Sequence, residues 1–279
     1  MMSARRKTSV ILTYLFLIVF FIIFVFPFFL MIVNSFKSNG QILESPFSLP
    51  SSLNFGHFAE VIDKMNFFVS FRNTVVVTFF SVLFIGVFAA MTAYYMVRHS
   101  TKFNNGFFAL MVASMIIPFQ SIMIPLIYIY GAKLHWIDAA PIPLLIILYI
   151  GFGSALSVFM YHGFVKSIPY ELEEASLLDG CNRRQTFFKI VLPMLAPTSV
   201  TIAILNVLWI WNDYLLPSLV LTQDNHFTMP IKMKVFNGTY MNNWELLIPA
   251  LLLTILPILI AYLFGQRYII RGVSQGAIK

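Results

Sequence analysis

Charge is what this chain has least of. Only 10% of its 279 residues are Asp, Glu, Lys or Arg, whereas 59% are hydrophobic and mean hydropathy is +0.84. An ordinary soluble domain carries charge on about a quarter of its residues. The shortage points to a chain that crosses a membrane many times. Long polar stretches are lacking too, so no soluble domain of ordinary size, about 50 residues or more, fits between the apolar runs. The single cysteine, Cys181, excludes an internal disulfide, has no metal-ligand spacing around it, and reads as a small filler residue. No glycine is followed by Lys-Ser or Lys-Thr, so the phosphate-cradling loop of an ATPase is missing. The apolar runs also lack acidic pairs or a histidine chain for proton coupling; Asp213 is the one acid well inside a run. Energy for uphill work must therefore come from another polypeptide, or the protein is passive. His57, His99, His135 and His226 are scattered without ligand spacing. Ser154 and His162 share a run but show no glycine-flanked nucleophile pattern, which speaks against a protease.

What is present is apolar and segmented. Runs lie at residues 10–33, 69–97, 107–130, 142–164, 195–221 and 246–264. Each is long enough to cross a hydrocarbon core as a helix of about 20 residues. The expectation is an all-α polytopic membrane protein with six transmembrane helices in a single domain, 1–279. The first run is too long for a signal-peptide core of about 7–15 residues and no A-x-A site follows it, so it reads as a retained span. A net charge of +7 invites a nucleic-acid partner, but the cations fall in short clusters between runs rather than on one face. No nucleic acid is expected. With the N-terminus in the cytoplasm, twelve basic residues fall inside: Arg5, Arg6, Lys7, Arg98, Lys102, Lys166, Arg183, Arg184, Lys189, Arg267, Arg271 and Lys279. Six fall outside: Lys37, Lys64, Arg72, Lys133, Lys232 and Lys234. The bias follows the positive-inside rule and places both termini in the cytoplasm.

Two outer segments, 34–68 and 222–245, are long and polar, the second carrying Asn225, Asn237, Asn242 and Asn243. They read either as solvated connectors or as docking sites for an extracellular partner. Pro27, Pro118, Pro125, Pro217, Pro249 and Pro257 fall in the runs and should bend their helices. Gly86 with Ala90, and Ala89 with Ala93, would permit close helix approach.

One polar stretch, residues 167–197, breaks the greasy pattern. Ser167 is placed to cap a helix that has Pro169 in its first turn. Glu171, Glu173 and Glu174 suit the early positions of that helix. Leu172, Ala175, Ser176 and Asp179 follow at i, i+3, i+4 and i+7, a stripe of mostly small side chains. Gly180 stands where a left-handed glycine would end it. Asn182 and Gln185 then have capping-box spacing for a second helix. Phe187, Phe188, Ile190 and Val191 are its expected apolar face, and Pro193 should end it or bend it into the next run. Local physics alone fits either a docking hook or an amphipathic connector on the lipid surface.

The pattern Glu174-Ala175-Ser176, Asp179-Gly180, Ile190 and Leu192-Pro193 closely resembles the EAA loop of permease subunits in bacterial ABC importers. Ile168-Pro169 and Glu171-Leu172-Glu173 are similar to the carbohydrate-uptake, maltose-type branch. The resemblance spans nearly the whole chain: Asn34-Ser35-Phe36-Lys37, Ile117-Pro118 with Ile124-Pro125, Trp211-Asn212-Asp213-Tyr214, and Gln266-Arg267-Tyr268, Arg271-Gly272 and Gly276-Ala277 occur in order. Ser176 replaces the third-position alanine and Cys181 the residue after the glycine, both small changes. The resemblance implies a type I ABC importer permease with a first span at 10–33, core helices over 69–268 and a cytoplasmic coupling loop at 167–193. It implies that Glu174, Ala175, Ser176, Asp179 and Gly180 dock on an ATPase. It also implies a second paralogous permease, two cytoplasmic ATPase subunits holding ATP and Mg, an extracellular solute-binding protein, and no cofactor on this chain.

For the solute path the fifth run is the best local choice. It carries Asn206, Trp209, Trp211, Asn212 and Asp213. Indole rings stack on the C–H faces of a sugar while amides and carboxylates bind hydroxyls. The same residues also read as interface anchors and helix-to-helix ties. The expected function is carbohydrate import into a prokaryotic cell, with a polyol or other small polar solute as the alternative. A stand-alone secondary carrier or a non-transporting scaffold are the readings from other classes.

Overall fold

The computed structural model describes residues 4–236 and 243–277. Asn237 and Asn242 lie outside the described residues, as do Lys279 and the side chains of Arg5, Arg6, Lys7, Arg267, Tyr268 and Arg271. Every regular element among the described residues is helical. The chain divides into two compact units, Met1–Phe67 with Met233–Leu256, and Phe68–Lys232 with Pro257–Lys279.

In the first unit, α1 (Ala4–Asn34) is apolar around its whole circumference from Val10 to Val33 and exposed along almost all of that length. Such a helix is stable only where the surrounding medium is itself apolar. Its last carbonyls are met locally, by Asn34 Nδ2 on Leu30 O and Ser35 Oγ on Ile32 O. The segment after it is not a plain connector, because it holds α2 (Asn39–Glu44) and α3 (Gly56–Lys64). Asn39 donates its backbone N–H to Glu245 and accepts from the backbone of Trp244 through its side chain, both at 3.0 Å.

In the second unit, α4 (Phe67–Arg98) is the longest continuous apolar helix. Thr101 caps α5 (Lys102–Ser114) through Asn104 N. The expected third span is not one helix. At 13 residues α5 reaches about 20 Å, short of a hydrocarbon core of about 30 Å. Pro118 then takes extended backbone, and α6 (Met123–Ile127) and a π-helical turn (Tyr128–Lys133) complete the run in pieces. Proline disfavours helix in the residue before it, which stops the run at Ile117 before Pro118, whereas Pro125 falls in the first turn of α6, where no ladder donor is lost. α7 (Trp136–Ala139) leads into α8 (Pro141–Val165), which opens on a proline where no backbone donor is lost.

After α8 come α9 (Glu171–Leu178), α10 (Arg183–Thr186), a π-helical stretch (Phe187–Val191) and α11 (Leu192–Met194). The segment 183–194 meets α12 (Ala196–Asn212) at 72°. Pro193 and Pro197 flank that bend, so neither side can donate into a continuous ladder. The fifth run breaks again at Asp213, before α13 (Leu215–Val220). α14 (Met229–Met233) follows, and α15 (Trp244–Ala277) closes the chain. Among the described residues four helices are individually long and apolar enough to cross a membrane, and the bent pair makes a fifth. Against the six expected transmembrane helices, the third run is split into short pieces and the fifth is broken at Asp213.

Two apolar cores hold the second unit. One joins Val77 and Ile85 of α4 to Leu144, Leu145, Leu148 and Tyr149 of α8 and to Ile210, Leu216 and Val220. The other joins Ala89, Ala90, Ala93 and Met96 of α4 to Val158, Tyr161 and Val165 of α8 and to Phe187, Val191 and Leu195. The alanines expected to permit close approach are all buried to 1% exposure or less. Gly86 is not the tight point, since an added Cβ would meet only Tyr161 Oη at 4.0 Å. Gly153 is: a Cβ there would stand 2.6 Å from Ile85 Cδ1 and 2.9 Å from Asn206 Oδ1. Gly86→Ala should leave thermal stability in detergent within about 0.5 kcal/mol of the parent. Gly153→Val should lower it by about 1–3 kcal/mol through overpacking. Equal melting temperatures for the two variants would refute this packing account.

Candidate functional site

The polar stretch forms a hook of two short helices whose joints are local chemistry. α9 ends as Gly180 turns left-handed at φ +85°. The Gly180 N–H donates to Leu177 O, and the Cys181 N–H to Ser176 O. That pair of bonds is a Schellman closure, and it meets carbonyls the helix would otherwise leave open. Asn182 then caps α10 at once. Its Oδ1 accepts from Gln185 N at 2.9 Å, and Gln185 Oε1 accepts from Asn182 N at 2.8 Å. The two helices are tied by Ser176 Oγ and Thr186 Oγ1, 2.8 Å apart and buried.

The start of the hook differs from the expectation. α9 begins at Glu171, and Ser167 does not cap it; its Oγ donates back to Phe164 O at 2.7 Å. Ser167 is still within reach of the carbonyls that α8 leaves open, so it ends that helix instead of starting the next. The expected outward stripe also changes. Leu172, Ala175 and Asp179 are exposed, whereas Ser176 is buried on the same face as Glu173, three residues earlier. Ser176 braces the hook from inside. Of the second helix, Phe187 and Val191 are buried, but Phe188 is 51% exposed and Ile190 only half-buried.

An ion pair seats the hook on the C-terminal end of α4. Glu173 is 3% exposed. Its Oε1 accepts from Arg98 Nε at 2.7 Å and Nη2 at 2.6 Å, and its Oε2 accepts from Tyr94 Oη at 2.7 Å. Arg98 Nη2 also reaches Ile168 O at 3.0 Å, and the guanidinium lies 5.5 Å from the Tyr170 ring centre. The second half of the hook is held as well, with the Phe187 ring 5.1 Å from that of Tyr94. A buried carboxylate is tolerable when paired and hydrogen-bonded in this way. Removing one partner of such a pair costs about 3–5 kcal/mol. The opposite side of the hook is open. Glu174, Ala175, Asp179 and Gly180 are exposed there, with Leu177 at 42% and Leu178 at 89%. Sequence reasoning overlooked Leu177, Leu178, Glu173 as a buried group, Arg98 and Tyr94. The leucines carried a signal, since two adjacent apolar residues end an otherwise acidic helix.

The residues proposed for a solute path scatter into different roles. Asn206 is buried, and its amide donates to Ser157 Oγ and Ile202 O, tying α12 to α8. Trp211 is buried edge-on to Phe71. Trp209 is 42% exposed and packs edge-on to Tyr149. Asn212 is exposed and closes the end of α12 on Leu208 O. Asp213 sits in the break between α12 and α13. Its Oδ1 accepts from Leu215 N and its Oδ2 from Tyr149 Oη. It thus starts a helix and ties it to α8, within a run expected to be continuous. Beyond α13, Asn73 Nδ2 donates to Asn225 O and Phe227 O, Thr74 Oγ1 accepts from Met229 N, and Lys232 pairs with Asp224. The segment after α13 is therefore fastened to the N-terminal end of α4.

Comparison with known proteins follows this geometry closely. The family described as binding-protein-dependent transport system inner membrane component matches residues 82–275. The chain is 39% identical over 262 residues to a probable starch degradation products transport system permease protein, AmyC, of Thermoanaerobacterium thermosulfurigenes, covering 94% of each. It is 35% identical over 283 residues to the melibiose/raffinose/stachyose import permease protein MelC of Bacillus subtilis, covering all of both. Its fold matches a chain in the crystal structure of a bacterial ABC transporter involved in the import of the acidic polysaccharide alginate. There the TM-score is 0.76 at 22% identity, with 96% of this chain and 99% of that one covered. With the family matched over most of its length, this chain belongs to the binding-protein-dependent transport system inner membrane components, as a membrane-embedded permease subunit.

Proposed function

We propose that this permease carries a carbohydrate, an oligosaccharide, into a prokaryotic cell by alternating access in an ATP-driven ABC importer. It works with a second, paralogous permease, two cytoplasmic ATPase subunits and an extracellular solute-binding protein. ATP and Mg belong to the ATPase subunits, and no cofactor is needed on this chain. Both termini and the hook face the cytoplasm of the cell membrane. The saccharides in the names of the relatives support the substrate class.

The observation that carries the reading is the two-sidedness of the hook. Its outer side offers Glu174, Ala175, Leu178, Asp179 and Gly180 to a partner, while its inner side is bolted to α4 through Glu173 and Arg98. An exposed apolar tip beside carboxylates suits a protein cleft that supplies both packing and charge-assisted hydrogen bonds. ATPase closure pushes on the outer side, and the inner side passes the displacement to α4 and α8. Ser176 serves this from within the hook. On the solute side, Asn212 and Trp209 are the exposed ones among the five polar and indole residues of the fifth run. Asn206, Trp211 and Asp213 hold the shape of the broken helix around them.

The test is reconstitution of the chain with its partners in vesicles, reading ATP hydrolysis and labelled saccharide uptake together. Gly180→Leu should keep the complex assembled or lose the ATPase, and in either case abolish uptake, because left-handed backbone costs a side-chain residue roughly 1–2 kcal/mol. Full uptake in that variant, with the ATPase bound, would refute the hook's role. Arg98→Ala should uncouple hydrolysis from uptake, and the exchanged pair Arg98→Glu with Glu173→Arg should recover part of the coupling. If the single change leaves the ratio of saccharide moved to ATP spent unaltered, the pair is not a strut. Asn212→Ala should reduce uptake without loss of assembly. Trp211→Ala should instead lose folded protein, by about 3–5 kcal/mol of buried packing. Unchanged transport in Asn212→Ala would remove that residue from the path.

A further inference from the structure

The segment from the end of α2 to the start of α3 carries an apolar surface apart from the hook and the fifth run. Leu43, Phe47, Leu49, Leu53 and Phe55 are each 60–74% exposed, in a stretch otherwise rich in serine. A solvated loop does not hold a patch of this kind without something to cover it. The choice of cover follows from where the segment lies relative to α1.

Lys37 fixes its start. The residue is 1% exposed, and its ammonium donates to Ser45 O at 2.9 Å and Pro46 O at 3.3 Å. Those bonds hold residues 45 and 46 at the end of α1. From there the chain turns back along the helix. The Phe47 ring stacks on Phe26, with centres 6.2 Å apart and planes at 15°. Phe26 stands eight residues before Asn34, which ends α1, so it lies about 12 Å inside that end. Helical side chains lean toward the N-terminus, which takes the ring deeper still. Around it Phe24, Val25, Phe28 and Phe29 are exposed, as is almost all of this apolar helix. The medium that covers α1 at this depth therefore reaches Phe47. Phe55 marks the return, packed against Phe36 and Phe58 at 5.3 and 6.4 Å beyond the helix end.

We infer that residues 43–55 are a lipid anchor, with Phe47 and Leu49 set among the acyl chains of the leaflet in which α1 ends. Lys37 is the clamp that holds the anchor down. Anchors of this sort bind through buried apolar side chains at the headgroup and acyl boundary. The inference needs α1 to span a membrane with lipid, not the second permease, against its Phe26 side, and does not depend on the solute or on the ATPase partner.

The measurement is collision accessibility of a nitroxide label. It uses the complete transporter, purified and reconstituted in phosphatidylethanolamine and phosphatidylglycerol vesicles. Labels are placed in a Cys181→Ser background at Phe47→Cys and Leu49→Cys. Phe16→Cys on the exposed surface of α1 gives the lipid reference, and Glu60→Cys on α3 gives the water reference. The expected result is an oxygen-to-nickel-chelate accessibility ratio at positions 47 and 49 severalfold above that at 60, and near that at 16. A ratio equal to that at 60 would show a solvated loop. Shielding from both reagents would show that a protein, such as the second permease or the solute-binding protein, covers the patch. Either result overturns the anchor. Should Phe47→Cys fail to fold, Leu49→Cys, whose parent side chain is 74% exposed, decides the question alone.

Discussion

A carboxylate taken out of water must keep a partner, and Glu173 is where that rule shapes this molecule. Its two oxygens are filled by Arg98 from one direction and Tyr94 from another, both on the last turns of α4. Neither donor can be moved without leaving a buried charge bare. The hook is therefore fixed in angle as well as in place. Phe187 and Val191 extend the attachment into the apolar core that α4 shares with α8. The result is a firmly seated hook from residues with little local tendency to form one: α9 and α10 have eight and four residues, too short to persist alone in water.

A second constraint explains the broken helices. Backbone donors and acceptors at membrane depth must be met inside the protein. The fifth run pays this cost once at Asp213, whose carboxylate takes up Leu215 N while Tyr149 from α8 donates to its other oxygen. Asn212 closes the preceding turn on Leu208 O. The polar residues that looked like a sugar site are thus partly the means by which the chain can be irregular there. The two readings are compatible, since irregular backbone at depth is tolerated where it is buried or lines a cavity.

What could be read in advance was local. The turn at Gly180 and the cap at Asn182 each depend on residues within five positions, so their spacing announced them. Pro118 and Pro193 marked real breaks for the same reason. Contacts across long sequence distances gave no such notice. Arg98 and Glu173 are 75 residues apart, and each alone looks like an ordinary helix-end charge. Gly153 is one small residue in an apolar run, and only its neighbours Ile85 and Asn206 reveal that nothing larger fits. Helical periodicity gives a face but not what the face meets, so Ser176 shares a stripe with exposed residues and is nevertheless buried. Ser167 has the chemistry of a cap for the helix ahead, but its hydroxyl serves the helix behind it.

The distribution of packing follows from these contacts and suits a moving part. In the second unit the apolar cores run along α4 and α8 from one end to the other, one ending on α13 and the other on the hook. Close-packed side chains do not stretch, so a displacement applied to one end of a helix is carried along it rather than absorbed. The soft points lie elsewhere, at the 72° bend before α12 and at the breaks in the third and fifth runs, where hydrogen-bond ladders are already interrupted. A helix that has no ladder bond to lose at a given residue can change angle there at little cost. Rigid rods joined at interrupted residues are what a mechanism of rocking requires. The same prolines and the half-buried turn at Asp213 that make the spans hard to read as single helices are what let them act as jointed ones.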